Sequence, residues 1–154
     1  MTMEIWNAVS DSDPKFLKRV SFGQRSFLSI DPMYQVRSAT EQFGPVGLGW
    51  GWHSRTQFIN LSNGDCACVS EVTIWHGERH NEYGPFPGCR KFFDAAKGRT
   101  SEDAPKMSVT DGLTKALSHL GFNADVFLGE HDGNKYSDKN AGNNLLKGQK
   151  RLRL

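Results

Sequence analysis

Long apolar runs are missing from this 154-residue chain. No stretch approaches the roughly 20 residues that a membrane-spanning helix needs. The start, Met1-Thr2-Met3-Glu4-Ile5-Trp6, lacks the basic and apolar segments of a secretory leader. Cysteine is scarce: Cys66, Cys68 and Cys89 are the only three, an odd number that cannot all pair within one chain. Reduced thiols in a soluble, cytoplasmic protein are the expectation. Nucleotide and hydrolase signatures are absent too. There is no P-loop and no G-x-S-x-G elbow, and the glycines at 47, 49 and 51 have the wrong spacing for a dinucleotide fingerprint. Asp, Glu and His form no cluster that nominates a hydrolase, so no catalytic residue and no cofactor is expected.

What is present suits one α+β domain of ordinary size. Hydrophobic residues make up 37% of the chain and aromatic residues 11%, enough for a core without metal or disulfide support. Charge is uneven. Residues 135–154 hold six basic residues and one acid, a net of +5, which leaves −3 on the remainder. We divide the chain into a folded region, 1–134, and a basic, mobile extension, 135–154. Such an extension supplies salt-sensitive attraction to a polyanion or serves as a solvated terminus.

A short helix is predicted near 3–10 and another after Asp13-Pro14, where Asp caps and Pro suits the first helical position. Residues 21–29 suggest a loop or short strand. A firm helix is predicted over 32–43, capped by Asp31 and ended by Gly44-Pro45. Its apolar face is Met33, Val36, Ala39, Thr40 and Phe43, with Gln35 on the polar side. A strand is expected from Val46 to Leu61, the large side chains on one face and Gly47, Gly49 and Gly51 on the other, marking close approach of another element or subunit. Asn63-Gly64 predicts a hairpin turn, and residues 66–75 the return strand. Residues 82–93 suggest a third strand, restricted by Pro85 and Pro87 to an edge, bulge or broken ladder. Residues 94–104 suggest an exposed loop. The last firm helix is predicted over 104–121, with Val109, Leu113, Ala116, Leu117 and Leu120 as its stripe.

Two ligand chemistries fit the residue types. Cys66, Cys68, His76, His80 and Cys89 are zinc-ligand types, although paired thiols on one strand also behave as small hydrophobes, and His76 and His80 beside a turn also suit plain solvation. Basic residues interleaved with aromatics point to single-stranded nucleic acid, where phosphates need charge and unpaired bases need faces to stack on. The basic groups are Lys15, Lys18 and Arg19; Arg90, Lys91, Lys97 and Arg99; and Lys106 with Lys115. Phe16, Phe22, Phe27, Phe92 and Phe93 lie among them.

Three strings then carry a resemblance. Ala39-Thr40-Glu41-Gln42-Phe43-Gly44-Pro45-Val46-Gly47-Leu48-Gly49-Trp50-Gly51 is the first. Ser108-Val109-Thr110-Asp111-Gly112-Leu113-Thr114-Lys115-Ala116-Leu117-Ser118-His119-Leu120-Gly121-Phe122 is the second. Ala124-Asp125-Val126-Phe127-Leu128-Gly129, followed by Asp132 and Asn134-Lys135-Tyr136, is the third. Together they resemble the phage and bacterial single-strand DNA annealing proteins related to the Rad fifty-two recombination mediator, over residues 4–136. The resemblance implies a β-β-β-α core, a ring or arc of subunits, and ATP-independent annealing of complementary strands in a basic groove. It also implies a phage-encoded recombination factor in a host cytoplasm. The family's helix carries a short basic cluster after Asp-Gly-Leu. Here only Lys115 keeps it, with Thr114 and Ser118 at positions basic in the eukaryotic relative.

The expected DNA contacts are therefore Lys115, Lys106, Lys18, Arg19, Arg90, Lys91, Lys97 and Arg99 on phosphate, with Phe16, Phe92 and Phe93 on bases. No metal site is included. The partners expected are single-stranded DNA, further copies of the chain, and host or phage recombination proteins. A zinc-stabilised interaction module and a strand-coating protein without annealing activity are the competing classes.

Overall fold

The computed structural model describes residues 3–131, which form an α+β protein of two compact units. The larger unit is Gln35–Leu120; the smaller is built from residues up to Tyr34 and from Gly121 onward. The basic segment 135–154 lies outside the described residues.

In the smaller unit, α1 (Glu4–Val9) is followed by a single 3-10 turn, Pro14–Phe16. Asp13 caps this turn, its carboxylate accepting from the Lys15 amide at 3.1 Å. The cap and proline act as expected, but they start one turn rather than a helix, because the chain enters β1 (Leu17–Phe22) at once. β1 pairs antiparallel with β2 (Arg25–Ile30). Residues 21–29, read as a loop or short strand, are thus the turn and arms of a hairpin, with Gly23 at φ +60°. Alternation places Ser26, Leu28 and Ile30 inward. Leu28 and Ile30 pack with Val126 of α4 (Ala124–Phe127), joined by Leu17, Tyr34 and Phe127.

The larger unit begins within α2 (Pro32–Phe43), whose boundaries match the sequence pattern. Asp31 caps it through the Met33 amide at 2.8 Å. Its buried positions are Gln35 and Ala39, while Met33 is 69% exposed. The inward stripe is thus displaced from the apolar one by part of a turn.

The strand expected from Val46 starts only at Trp50. Residues 45–49 fold as a turn, with the Leu48 and Gly49 amides donating to the Pro45 carbonyl at 3.0 and 2.8 Å. Gly47 takes φ +86°. Gly49 lies against the Phe43 carbonyl with no room for a Cβ, and Gly51 lies against the Trp75 indole. Gly49 and Gly51 serve contacts inside one chain and Gly47 serves the turn, so they give no argument for a neighbouring subunit.

Four antiparallel strands follow in the order β3 (Trp50–Asn60), β4 (Cys66–His76), β5 (Glu82–Asp94) and β6 (Arg99–Thr100). The Asn63-Gly64 turn connects β3 and β4, with the Leu61 amide on the Asp65 carbonyl at 2.8 Å. The expected loop over 94–104 contains β6, which pairs Thr100 with Phe93 and Arg99 with Asp94. Pro85 lies at a register shift, where the β4–β5 ladder skips between Val72 and Ile74, while Pro87 stays in register opposite Glu71.

α3 (Ala104–His119) packs on β4 and β5. Cys68, Ser70, Val72 and Ile74 of β4 face it by alternation and are all buried. The approach is close because the crossing is lined by glycine. A Cβ on Gly88 would strike the Ser108 carbonyl and lie 2.5 Å from the Gly112 nitrogen; one on Gly112 would lie 2.6 Å from Val72. Hydroxyls cross the same interface. Ser108 donates to the Pro105 carbonyl at 2.7 Å and lies 2.6 Å from Ser70, which lies 2.7 Å from Thr56. Because each hydroxyl has one proton, Ser70 donates to Ser108 and Thr56 to Ser70. Cys68 joins through a 3.4 Å contact to Ser108.

Substituting Gly88→Ala forces α3 away from the sheet. We expect a loss of about 1–3 kcal/mol, the usual cost of overpacking. It should be read as a lower urea midpoint at unchanged slope.

Candidate nucleic-acid interface

At the β5–β6 end of the larger unit, Lys91, Phe92, Asp94, Lys97, Arg99 and Ser101 line a cleft of about 210 Å³. Four of the eleven expected DNA contacts meet here: Lys91, Phe92, Lys97 and Arg99. Local chemistry explains why. The Asp94 carboxylate accepts from the Lys97 amide at 3.2 Å, folding the chain back over four residues with Gly98 at φ +57°. That turn brings Arg99 beside Asp94, and the Ser101 amide closes the ladder on the Phe92 carbonyl at 2.7 Å.

The cations in this cleft are not equivalent. Lys91 lies 2.9 Å from Asp65 and 3.4 Å from Asp94. The hydrogen bond to Asp65 first, then the charges of both carboxylates, raise its pKa. Asp65 is buried and accepts from the Ala95 amide at 2.8 Å and from Asn63 at 3.1 Å as well. The Ala95 amide and then Lys91 hold its carboxyl below the usual 3.8. Lys91 is therefore an anchor between two turns. Among the described residues, neither Lys97 nor Arg99 has an ion-pair partner, so these two present the cleft's uncommitted positive charge. Phe92 meets Phe58 edge-on, ring centres 4.9 Å apart.

Four further expected contacts belong to the larger unit but do not line this cleft. Arg90 is exposed on β5, its guanidinium 3.5 Å from the Cys89 carbonyl. Phe93 is half-buried on the same strand. Lys106 pairs with Asp103 at 2.7 Å, both largely exposed. Lys115 is exposed on α3. Nine residues separate the two lysines, which at 3.6 per turn sets them about 180° apart around the helix. They cannot form one row. Lys115 shares its flank with Asp111, whose carboxylate accepts from the Cys89 amide at 3.2 Å, and with His119, whose ring lies 4.7 Å from Phe86. Its flank is thus the β5 side.

In the smaller unit, Lys18 and Arg19 are neighbours in β1 and so point to opposite faces of the hairpin. Arg19 reaches Ser26 at 3.4 Å. Phe16 stacks on Tyr34 with ring centres 4.5 Å apart, and the Lys15 ammonium stands 4.9 Å from its centroid. Its ring is engaged within the chain, which argues against a base-stacking role.

The zinc-ligand residue types do not converge. Among the described residues no group of three or more His, Cys, Asp or Glu is placed to hold a metal ion. Cys68 is buried in the hydroxyl chain, and Cys89 is exposed. His76, which suits solvation in the sequence, is instead sandwiched between Phe43 and Tyr83, at 4.4 and 5.3 Å. Burial pushes its pKa down.

Asp125 is a polar centre that no spacing or motif in the sequence marks. Its carboxylate accepts from the Ser12 amide and hydroxyl at 2.7 and 2.6 Å, the Val126 amide at 2.8 Å and His131 at 2.8 Å. Burial works to raise its pKa, but the Ser12 hydroxyl, His131 and the two amides together outweigh it, and the pKa falls. The carboxylate lies between the hydroxyl and the imidazole. The imidazole meets the carboxylate and not Ser12 Oγ, so the order differs from that of a serine nucleophile activated by histidine, and the three groups tie the chain together as a structural knot.

No protein-family model matches the chain. Among the described residues, no helix is long and apolar enough to cross a membrane.

The Asp65 anchor sets a pH dependence. Its carboxyl is lowered in the fold, so its contribution is present above 3.8 and is lost as pH falls through the folded value. Urea unfolding of Asp65→Asn against the parent should show a stability gap that is constant near neutral pH and narrows below 3.8. A gap unchanged down to acid unfolding would remove Asp65 from that role.

Proposed function

We propose that this chain is a phage-type single-strand annealing protein. It binds single-stranded DNA and pairs complementary strands without ATP or catalytic turnover, as a homo-oligomer acting in recombination. The observation that carries the reading is the cleft, which gathers Lys97, Arg99, the anchored Lys91 and Phe92 into one small basic depression. Phosphates need positive charge, and unpaired bases need an apolar surface. The resemblance of the three sequence strings supports the same reading, as do the three long antiparallel strands β3, β4 and β5, which lead through the short β6 into the packed helix α3.

Annealing asks for phosphates to be neutralised while base edges stay free. Short basic stations repeated on adjoining copies meet that need better than one deep pocket, because linked weak contacts act at high effective concentration. Lys115 on the β5 flank of α3 is a second station. Lys106 is paired with Asp103, and Lys18 and Arg19 belong to the hairpin of the smaller unit.

The double substitution Lys97→Ala/Arg99→Ala should weaken single-strand binding and reduce the salt dependence by about two phosphate contacts; Lys115→Ala should remove about one. Fluorescence anisotropy with a labelled oligonucleotide at several salt concentrations measures both. Mixing complementary labelled strands separates annealing from coating. Binding without faster duplex formation means a coating protein, and an unchanged salt slope in the double variant takes the cleft out of the interface.

A further inference from the structure

The four-stranded sheet has two dissimilar edges. On one side, β6 covers only Phe93 and Asp94, and the rest of β5 carries Pro85 and Pro87, which have no amide to offer. On the other side lies β3, 11 residues long, paired with β4 without a register break and free of proline. From His53 to Leu61 every residue is exposed. Phe58, Ile59 and Leu61 are 53%, 42% and 46% exposed, the densest apolar group on this edge. Soluble proteins ordinarily block such an edge with lysine, proline or a bulge. Arg55 is the one permanently charged residue here, and Glu71 stands opposite it on β4.

We propose that β3 pairs antiparallel with β3 of a second copy, about a two-fold axis at Gln57. The charge pattern selects that register. Overlap of the whole strand would centre on Arg55 and set it against itself, which is unfavourable for directly opposed residues. Centring the exposed run at Gln57 places amide against amide, Arg55 against Ile59 and His53 against Leu61. No like charges meet, and the apolar group becomes covered. The proline-bearing edge cannot extend the sheet further, so strand addition closes at two copies. This inference is independent of DNA: it specifies a self-complementary edge whether or not the cleft binds a strand.

Cysteine cross-linking of the full chain in a Cys89→Ser background tests the register. Opposed Cα atoms of an antiparallel pair lie about 4.5–5.5 Å apart, inside the disulfide range. Gln57→Cys should therefore give a covalent dimer on mild oxidation. In Arg55→Cys the two copies of the new thiol would lie roughly 14 Å apart, at 3.4 Å per residue, and should cross-link at least about tenfold less. Mixing Arg55→Cys with Ile59→Cys should restore the dimer. Circular dichroism establishes that each variant is folded, and sedimentation of the unmodified chain should show a concentration-dependent dimer. A monomer at every concentration, or equal cross-linking at 55 and 57, overturns the proposal. So does an assembly that stays unchanged when Ile59→Lys places a charge on the edge.

Discussion

The close crossing of α3 over β4 and β5 governs the larger unit. Gly88 and Gly112 remove the side chains that would hold helix and strand apart. The hydroxyls of Thr56, Ser70 and Ser108 then satisfy one another where an apolar interface would be expected. A buried hydroxyl without a partner would cost on the order of 1–3 kcal/mol, so the chain of donors must stay complete. It runs from the sheet's outer strand to the first turn of the helix, ending on the Pro105 carbonyl. The helix is thereby fixed in depth and in rotation about its own axis.

That rotation decides what the surface can do. Ser108, Gly112 and Ala116 are turned to the sheet, so Lys115 is left on the β5 flank and Lys106 on the other. The same packing covers the middle of β4 and leaves β3 exposed over most of its length. One arrangement therefore produces both a basic station beside β5 and an unblocked strand at the opposite edge. The cleft depends on a second, smaller lock: Asp65 holds Lys91 and the Ala95 amide, joining the turn after β3 to the turn before β6. Asp94 and the β5–β6 ladder hold Lys97 and Arg99 directly, and the Asp65 carboxylate fixes the start of the turn that carries them.

Asp125 plays the corresponding part in the smaller unit. One buried carboxylate collects donors from Ser12, Val126 and His131, tying segments 113 residues apart in the chain. The left-handed Asn123, with φ +59°, turns the chain into this knot and donates to Ser12 at 2.7 Å. A carboxylate with four donors is already at its coordination limit. It serves to position chain rather than to bind a ligand.

Local chemistry is written plainly in the amino-acid order. Asp31-Pro32 and Gly44-Pro45 bound α2, Asn63-Gly64 marks the β3–β4 turn, and the spacing of Leu113, Ala116 and Leu117 marks α3, because caps, turns and stripes depend on residues a few positions apart. The basic and aromatic character around residues 90–99 was legible for the same reason. Which cation is free was not. Lys91 differs from Lys97 chiefly through Asp65, 26 positions earlier, with Asp94 as a second partner, and the intrachain use of Gly49 and Gly51 depends on Phe43 and Trp75. Met33 and Gln35 exchanged their expected faces because periodicity gives a helix its stripe, but only the neighbouring element chooses the angle at which it is buried. Contacts between distant segments settled each of these points, and no local rule of spacing encodes them.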